Sequence, residues 1–233
     1  MLTTNVWQRV CQFIDSKITR LLVRSSSVQS LALEKAKREI SELKIALAQA
    51  QEDATIDHLT GIFNRRGAED ALLREVRSIQ REMRDTIDHF PLFGIIILDL
   101  DGFKKVNDIY GHSAGDMALQ EIVKTIAHIF RRPTDIVCRW GGDEFLMITS
   151  NTSLDQTIQM AERCRVAITE NVHLHFNEFH VTGSIGISAL KLTENTQPEE
   201  IQANFENAVR EADIAAYRSK QNGKNSVSHN YIF

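Results

Sequence analysis

Cysteine is scarce in this chain of 233 residues, and the three that occur, Cys11, Cys138 and Cys164, are scattered. An odd and dispersed set predicts neither a disulfide framework nor a zinc site, and it suits a reducing compartment. No stretch approaches the roughly 20 apolar residues that a bilayer-spanning helix needs. Polar and charged residues also interrupt the N-terminal segment, which excludes the apolar region of a signal peptide. We therefore expect a cytoplasmic protein without a membrane span.

A strong net charge is absent as well, since 27 basic residues stand against 31 acidic ones and the formal net charge is −4. This balance gives no reason to expect binding to DNA or RNA. Apolar residues make up 42% of the chain and charged residues 25%, which is ordinary for a soluble globular protein. The length permits one well-buried domain with an appendage, or two small domains.

Two helical patterns precede the rest of the chain. Residues 1–29 carry an amphipathic pattern that ends at the serine run 25–27. Residues 30–56 carry apolar side chains at alternating spacings of three and four, which is the a/d seam of a coiled coil. The seam consists of Leu33, Ala36, Ile40, Leu43, Leu47, Ala50 and Ala54. It predicts a homodimer joined through these helices; the alternative is a helix that packs by this seam on its own domain.

Residues 57–233 alternate between helical and strand-like patterns. Helices are predicted over about residues 65–89, 154–172 and 199–220, and a further helical stretch follows the strand 92–101 and ends at residue 130. Strands are predicted over 92–101, 179–190 and 226–229, with a hairpin around residue 141. This order indicates an α/β fold whose sheet is at least partly antiparallel. The nearby His173, His175 and His180 lack an acid or cysteine to complete a metal pattern, so we assign them to a partly exposed loop.

The sequence Gly141-Gly142-Asp143-Glu144-Phe145 lies between two strand-like runs, 136–140 and 145–149. This arrangement predicts a hairpin with the glycines at its tip, where glycine permits φ > 0 and lets a ligand approach the backbone closely. Two carboxylates follow at once, so the hairpin is a candidate site for a metal-bound nucleotide. An ordinary solvated hairpin is the alternative.

A second pair of acids, Asp99 and Asp101, ends the apolar strand-like run that begins at Ile95. Residues i and i+2 of a strand face the same side, so the two carboxylates are expected to point together. A cation would relieve their repulsion, and Mg²⁺ takes few protein oxygens and completes its shell with water and phosphate. The alternatives are strand-end solubility and helix capping, with Asp101 capping a helix that starts near Phe103.

Five motifs in order resemble those of the GGDEF family of diguanylate cyclases. They are residues 57–66 (DHLTGIFNRR), 99–116 (DLDGFKKVNDIYGHSAGD), 139–145 (RWGGDEF), 183–188 (GSIGIS) and 212–220 (ADIAAYRSK). The resemblance implies an α+β, palm-like fold with a central, mostly antiparallel sheet flanked by helices. It implies the joining of two GTP molecules into cyclic di-GMP and two pyrophosphates, with Mg²⁺ or, as a substitute, Mn²⁺. Each domain supplies one half-site, so two copies must meet.

The resemblance also implies a role for each matching residue. Asp99, the Leu100 carbonyl and Asp143 match metal-binding positions. Glu144 matches a second acid at this centre and is a candidate acceptor of the 3′-hydroxyl proton. Matched substrate-binding positions are Asn107 and Asp116 for guanine, Gly141 and Gly142 for space beside the nucleotide, Phe103 and Lys104 around the phosphates, His112 in the nucleotide-binding segment, and Lys220 and Lys224 for the phosphates. The position of Lys224 is commonly Arg in this family, so we expect a weaker hold on phosphate without loss of activity.

Arg132 and Asp135 form an R-x-x-D pattern five residues before the signature. At this offset it resembles the family's allosteric inhibition site, which binds the product. An arginine of the following helix, Arg163 or alternatively Arg165, would assist. The other interpretation is a surface turn with an i,i+3 ion pair.

Two rival functions remain open beside a product-inhibited cyclase. One is a binding module that senses GTP or cyclic di-GMP without turnover. The other is a helical interaction protein whose C-terminal domain is a passenger. Both signature acids, Asp143 and Glu144, are present, and this favours the cyclase over both.

Replacing Leu43 and Leu47 with glutamate tests the coiled-coil interpretation. Two like charges on the apolar seam should weaken self-association and lower cyclase activity, because the two half-sites would no longer be held together. Sedimentation and activity measured at dilute protein check this outcome. Unchanged self-association and activity would contradict a dimerising seam.

Overall fold

The computed structural model describes residues 12–13, 28–53, 55–86, 90–171 and 181–230. The chain divides into two units, Met1–Glu52 and Asp53–Phe233. The helix predicted within residues 1–29 lies almost wholly outside the described residues, and so do His173, His175 and His180. Among the described helices, none combines the length and the apolar content that crossing a membrane requires.

The first unit contains helix α1 (Val28–Asp53), which confirms a helix over the predicted seam. Within it, Leu33, Ala36 and Ile40 are half-buried, whereas Leu43 is 69% exposed. Ala54 lies outside the described residues, and so do the side chains of Leu47 and Ala50. A seam leucine with this much exposure in a single chain is available for a partner, and self-association stays a prediction.

The second unit alternates helices and strands. Its elements are β1 (Phe63–Asn64), α2 (Arg65–Thr86), β2 (Phe93–Asp101), α3 (Phe103–Tyr110), α4 (His112–Ile129), β3 (Ile136–Arg139), β4 (Glu144–Ser150), α5 (Leu154–Asn171), β5 (Thr182–Leu190), α6 (Pro198–Gln221) and β6 (Val227–His229). The predicted elements are present, with one difference. The helical stretch that leads to Phe130 is two helices, because Gly111 breaks it with φ +83°.

The six strands form one sheet in the order β1-β3-β4-β2-β5-β6. Strand β2 pairs antiparallel with both β4 and β5, and β3 pairs antiparallel with β4. The edge strands β1 and β6 pair parallel with their neighbours. The predicted central, mostly antiparallel sheet is therefore confirmed.

Helices cover both faces of the sheet, which explains why β2 is apolar at nearly every position. Its even-numbered residues, such as Ile96 and Leu98, lie in the apolar cluster formed with α3, α4 and α5. Its odd-numbered residues, such as Ile95 and Ile97, lie in the cluster formed with α2 and α6. By the same alternation, the acids at its end face the side of α6.

Gly186 of β5 brings α6 unusually close to the sheet. A Cβ atom at this position would lie 2.0 Å from the carbonyl oxygen of Ala212 and 2.2 Å from the backbone nitrogen of Ala216. Only glycine permits such an approach of helix backbone to strand backbone. The contact sets the height of α6 above β2, and α6 carries Lys220 in its last turn.

Candidate active site

The signature residues form the predicted hairpin between β3 and β4. The backbone N–H groups of Trp140 and Gly141 both donate to the Glu144 carbonyl, at 2.8 and 3.2 Å. Neither Gly141 nor Gly142 adopts the positive φ that glycine permits. Glycine at 141 leaves room for the Glu144 carboxylate where it lies, since a Cβ there would be 2.6 Å from Glu144 Oε2. Gly142 faces open space, where a ligand could lie.

Pairing of β2 with β4 brings the predicted metal-binding residues together. Asp99 lies directly opposite Glu144 in the antiparallel register. The backbone N–H of Leu100 donates to the Asp143 carbonyl at 3.2 Å. The four residues therefore share one end of the sheet, where the side chains of Asp143 and Glu144 are half-buried.

Lys220 neutralises part of this acidic cluster. Its Nζ lies 2.5 Å from Asp99 Oδ2, and the two side chains are 38% and 13% exposed. The sequence predicted Lys220 as a phosphate ligand, and the structure places it on a carboxylate of the same site. Lys220 is thus positioned to exchange its contact with the Asp99 carboxylate for a contact with a phosphate.

Negative charge remains in excess around Glu144. Burial raises the pKa of Glu144, and the carboxylates of Asp99, Asp213 and Asp143 raise it further. Burial likewise raises the pKa of Asp99, against the opposing effect of Lys220. For Lys220, burial lowers the pKa, but the hydrogen bond and charge of Asp99 more than offset this and the pKa rises. A divalent cation would relieve the repulsion among these acids.

The donor set fits a cation that binds few protein oxygens. Among the residues that the structure describes, no three His, Cys, Asp or Glu side chains converge to hold a metal alone. A backbone carbonyl and ligand oxygens would have to complete the coordination. Mg²⁺ commonly binds in this way, through one or two carboxylates with water and phosphate oxygens.

Asp101 does not belong to the metal-binding group that its spacing from Asp99 suggested. Its carboxylate accepts hydrogen bonds from Thr182 Oγ1 (2.9 Å), Ser184 Oγ (2.8 Å) and the Asn225 backbone N–H (3.0 Å). The predicted capping role is also wrong, since Gly102 is the N-cap of α3, with φ +78° and no side-chain capping bond. Asp101 instead joins β2 to β5 and to the turn after α6.

The residues matched to guanine recognition lie on α3 and α4. A Cβ atom at Gly115 would lie 1.9 Å from Asn107 Oδ1, so the Asn107 amide packs against the backbone directly before Asp116. Asp116 is exposed, which leaves its carboxylate accessible to a base.

The residues matched to the phosphates and the nucleotide-binding segment differ in accessibility. Lys104, His112 and Lys224 are exposed. Phe103 is 7% exposed and belongs to the core, so its contact with a phosphate could come only from its backbone in the first turn of α3.

Arg139 has a structural role that the sequence reasoning missed. Its Nη1 lies 3.2 Å from Asp57 Oδ2, and its Nη2 and Nε donate to the Gly142 carbonyl at 2.8 and 3.2 Å. Burial raises the pKa of Asp57, but hydrogen bonds from Thr60 and the charge of Arg139 outweigh it and the pKa is lowered. The first motif is thereby bound to the tip of the signature hairpin. Both residues lie in quoted motifs, yet no local pattern indicates their pairing.

The R-x-x-D residues line a separate cavity of about 270 Å³, together with Arg163 and Met160. Asp135 Oδ2 accepts from the Arg132 backbone N–H at 3.0 Å. Asp135 Oδ1, by contrast, is buried and without a hydrogen-bond partner within the described part of the chain. Burial raises the pKa of Asp135 despite the opposing bond and charge of Arg132.

The two candidate arginines of α5 lie in different surroundings. Arg163 lines the R-x-x-D cavity, whereas Arg165 donates to Glu162 (2.7 Å) and to Asn225 (3.0 Å). Arg163 is therefore the arginine available to a ligand in that cavity.

Residues 54–226 match the family model described as "Diguanylate cyclase, GGDEF domain". The chain is 37% identical over 135 residues to diguanylate cyclase A of Treponema denticola, covering 58% of this chain and 34% of that protein. It is 34% identical over 197 residues to response regulator PleD of Caulobacter vibrioides, covering 82% and 39%. The chain thus spans well under half the length of these relatives.

A solved structure of similar fold is the GGDEF domain of DgcB from Caulobacter crescentus in complex with c-di-GMP. The TM-score is 0.59 at 26% identity, and the match covers 76% of this chain and 93% of that one. The predicted palm-like fold is confirmed by this likeness together with the sheet order.

Glu144→Gln tests the charge excess. Without divalent cations at pH 8, the substitution should raise the Tm by about 2 °C, because it removes one repelling carboxylate. A carboxyl pKa that is raised in the folded state means that the native protein gains stability as pH falls through that pKa. The advantage of Glu144→Gln should therefore shrink toward pH 5 in thermal denaturation.

The control is Glu121→Gln, which alters an exposed acid paired with Lys124 on α4. This variant should show no gain in Tm at pH 8. A Tm for Glu144→Gln at or below that of the native chain at pH 8 would contradict the charge excess.

Proposed function

The chain belongs to the GGDEF family of diguanylate cyclases, and we propose that it joins two molecules of GTP into cyclic di-GMP. The observation that carries the proposal is the register of β2 on β4. It sets Asp99 opposite Glu144, beside Asp143 and the Leu100 backbone, in a cluster with an excess of negative charge. Such a cluster suits the binding of a divalent cation together with the triphosphate that the cation carries.

Asp99, the Leu100 carbonyl, Asp143 and Glu144 would hold Mg²⁺, with Mn²⁺ as a substitute. A divalent cation there would neutralise charge on the phosphoryl oxygens and lower the pKa of the attacking hydroxyl.

Proton transfer is the proposed task of Glu144. In each half-reaction, the 3′-oxygen of one GTP forms a bond to the α-phosphorus of the other. The bond from that phosphorus to the bridging oxygen breaks, and pyrophosphate leaves. The 3′-hydroxyl proton passes to Glu144, whose half-buried carboxylate lies beside the other acids of this cluster. The step occurs twice and releases two pyrophosphates.

Selection of guanine is assigned to Asn107 and Asp116. The exposed carboxylate of Asp116 can accept from guanine N1–H and from the exocyclic amine, a pair of donors that adenine does not present. The Asn107 amide adds a second polar group, and its place against Gly115 fixes it near Asp116.

The triphosphate is assigned to Lys104, Lys220 and Lys224, with the backbone at Phe103 and space beside Gly141 and Gly142, and His112 is assigned to nucleotide binding. Lys220 would leave Asp99 for a phosphate when the nucleotide and its cation arrive, since the cation would then balance Asp99.

Each chain supplies half of the reaction centre, so the active form is proposed to be a homodimer. The seam of α1 provides a surface for it, and its exposed Leu43 supports this.

Product inhibition is assigned to the cavity of Arg132, Asp135 and Arg163. The two arginines can bind phosphate or guanine acceptors, and a guanine edge that displaced the atoms covering Asp135 Oδ1 would supply the hydrogen bond that this buried oxygen lacks among the described residues. Cyclic di-GMP offers both kinds of group.

Incubation of the purified chain with GTP and Mg²⁺ tests the reaction, with products separated by chromatography. We expect cyclic di-GMP and pyrophosphate from GTP and none from ATP. Asp143→Ala and Glu144→Ala should each lower the rate at least about 100-fold. Asp155→Ala, an exposed acid of α5, serves as the control. A folded, dimeric chain that binds GTP without forming product would be a binding module instead.

Arg163→Ala tests the inhibition site. Loss of one charged hydrogen-bonding group should raise the half-inhibitory concentration of cyclic di-GMP about tenfold and leave uninhibited turnover unchanged. Arg210→Ala, at an exposed arginine of α6, is the charge-matched control. Equal inhibition of the native and Arg163→Ala chains would exclude this cavity as the regulatory site.

A further inference from the structure

The turn after α6 holds three successive residues in the left-handed region. Gly223, Lys224 and Asn225 have φ of +104°, +66° and +42°. Residues with a Cβ atom disfavour this region, although asparagine tolerates it better than lysine. Such conformations persist only where the surroundings enforce them, and they are frequent at functional sites.

Hydrogen bonds from three elements hold this turn. The Asn225 backbone N–H donates to Asp101 Oδ2 at 3.0 Å, at the end of β2. Asn225 Oδ1 accepts from Arg165 Nη1 (3.0 Å) and Thr169 Oγ1 (3.2 Å), both on α5. The Lys224 backbone N–H donates to the Ser219 carbonyl at 3.0 Å, in the last turn of α6. Asn225 is thus fixed on both its backbone and its side chain.

The anchors are themselves fixed. Asp101 is buried and accepts two further bonds, from Thr182 and Ser184 of β5. Arg165 is oriented by the bond from its Nε to Glu162 at 2.7 Å. The turn therefore rests on a buried carboxylate and on a partly buried arginine that is paired within its own helix.

The turn lies beside the acidic cluster. Asp101 follows Asp99 by two residues on the same side of β2, which is roughly 7 Å along a strand. Ser219, which holds Lys224, directly precedes Lys220, the partner of Asp99. The backbone conformation at Lys224 therefore sets the direction in which its side chain leaves a turn that adjoins the acidic cluster.

We propose that Asn225 is a positioning residue: anchored by Asp101 and Arg165, it holds Lys224 in the left-handed conformation that presents the lysine to the substrate phosphates. The proposal rests on the proposed function, because it takes Lys224 as a phosphate ligand. Lysine is a flexible point charge without the rigid fork of arginine, so its placement depends on the backbone that carries it. Arg165, discounted as a product ligand, acts here through Asn225.

Asn225→Gly tests this role in the full chain. Glycine tolerates the positive φ but removes the oxygen that Arg165 and Thr169 bind. We expect about a fivefold rise in KM for GTP and in Kd for a non-hydrolysable GTP analogue, with kcat within about twofold. Asn225→Asp keeps both the acceptor and the tolerance of positive φ, and it should restore most of the affinity.

Arg165→Ala should reproduce the rise in KM. It removes both the bond to Asn225 Oδ1 (3.0 Å) and the longer bond to the Asn225 carbonyl (3.4 Å), so the double variant with Asn225→Gly should bind no more weakly than Arg165→Ala alone. Asn222→Gly is the matched control, since it makes the same substitution three residues earlier, at φ −80°. It should change KM by less than about twofold.

An unchanged KM and Kd in folded Asn225→Gly, or a lowered Tm with unchanged affinity, would overturn the positioning role. If Asn225→Gly does not fold, the affinity of Arg165→Ala decides. If the native chain binds the analogue but makes no cyclic di-GMP, only the proposed function is contradicted. The Kd values of the native chain and its variants for the analogue then still test the role of the turn. A native chain without affinity for the analogue overturns both.

Discussion

Antiparallel pairing of β2 with β4 is the interaction on which the candidate site depends. Its register places Asp99 opposite Glu144, and both apolar faces of β2 are buried against helices. A slip of one residue would turn every side chain of the strand to the opposite face. The apolar pattern that packs the core therefore also fixes which acids meet, and a single constraint sets both stability and chemistry.

Charge balance around this pairing explains the nearby basic residues. Lys220 pairs with Asp99 within the acidic cluster, whereas Arg139 holds the hairpin tip through the Gly142 carbonyl and pairs with Asp57. Lys220 can exchange its contact with Asp99 for a contact with a phosphate. Arg139, in contrast, fixes the hairpin on which the acids lie. The site thus combines a rigid frame with an electrostatic strain that a metal-bound substrate would relieve.

Alternation of apolar residues and the glycine pair predicted the strands and the hairpin, because these are local patterns, whereas the resemblance to the family implied the mostly antiparallel sheet and the grouping of Asp99 with Glu144. The sequence did not predict the pairing of Arg139 with Asp57, which are 82 residues apart. Asp101 was assigned by spacing alone, and its partners on β5 and in the turn after α6 appear only after folding. No local pattern indicated the positive φ at Lys224 and Asn225, where long-range hydrogen bonds hold the turn.

Manganese-edge anomalous diffraction from crystals of the chain with a non-hydrolysable GTP analogue tests the central claim most directly. The account predicts a manganese peak roughly 2.1 Å from oxygens of Asp99 and of the signature acids, a distance typical of such hard cations. It also predicts that Lys220 has moved from Asp99 to a phosphate. Bound analogue with no peak at this end of the sheet, and with the pair of Lys220 and Asp99 intact, would contradict it.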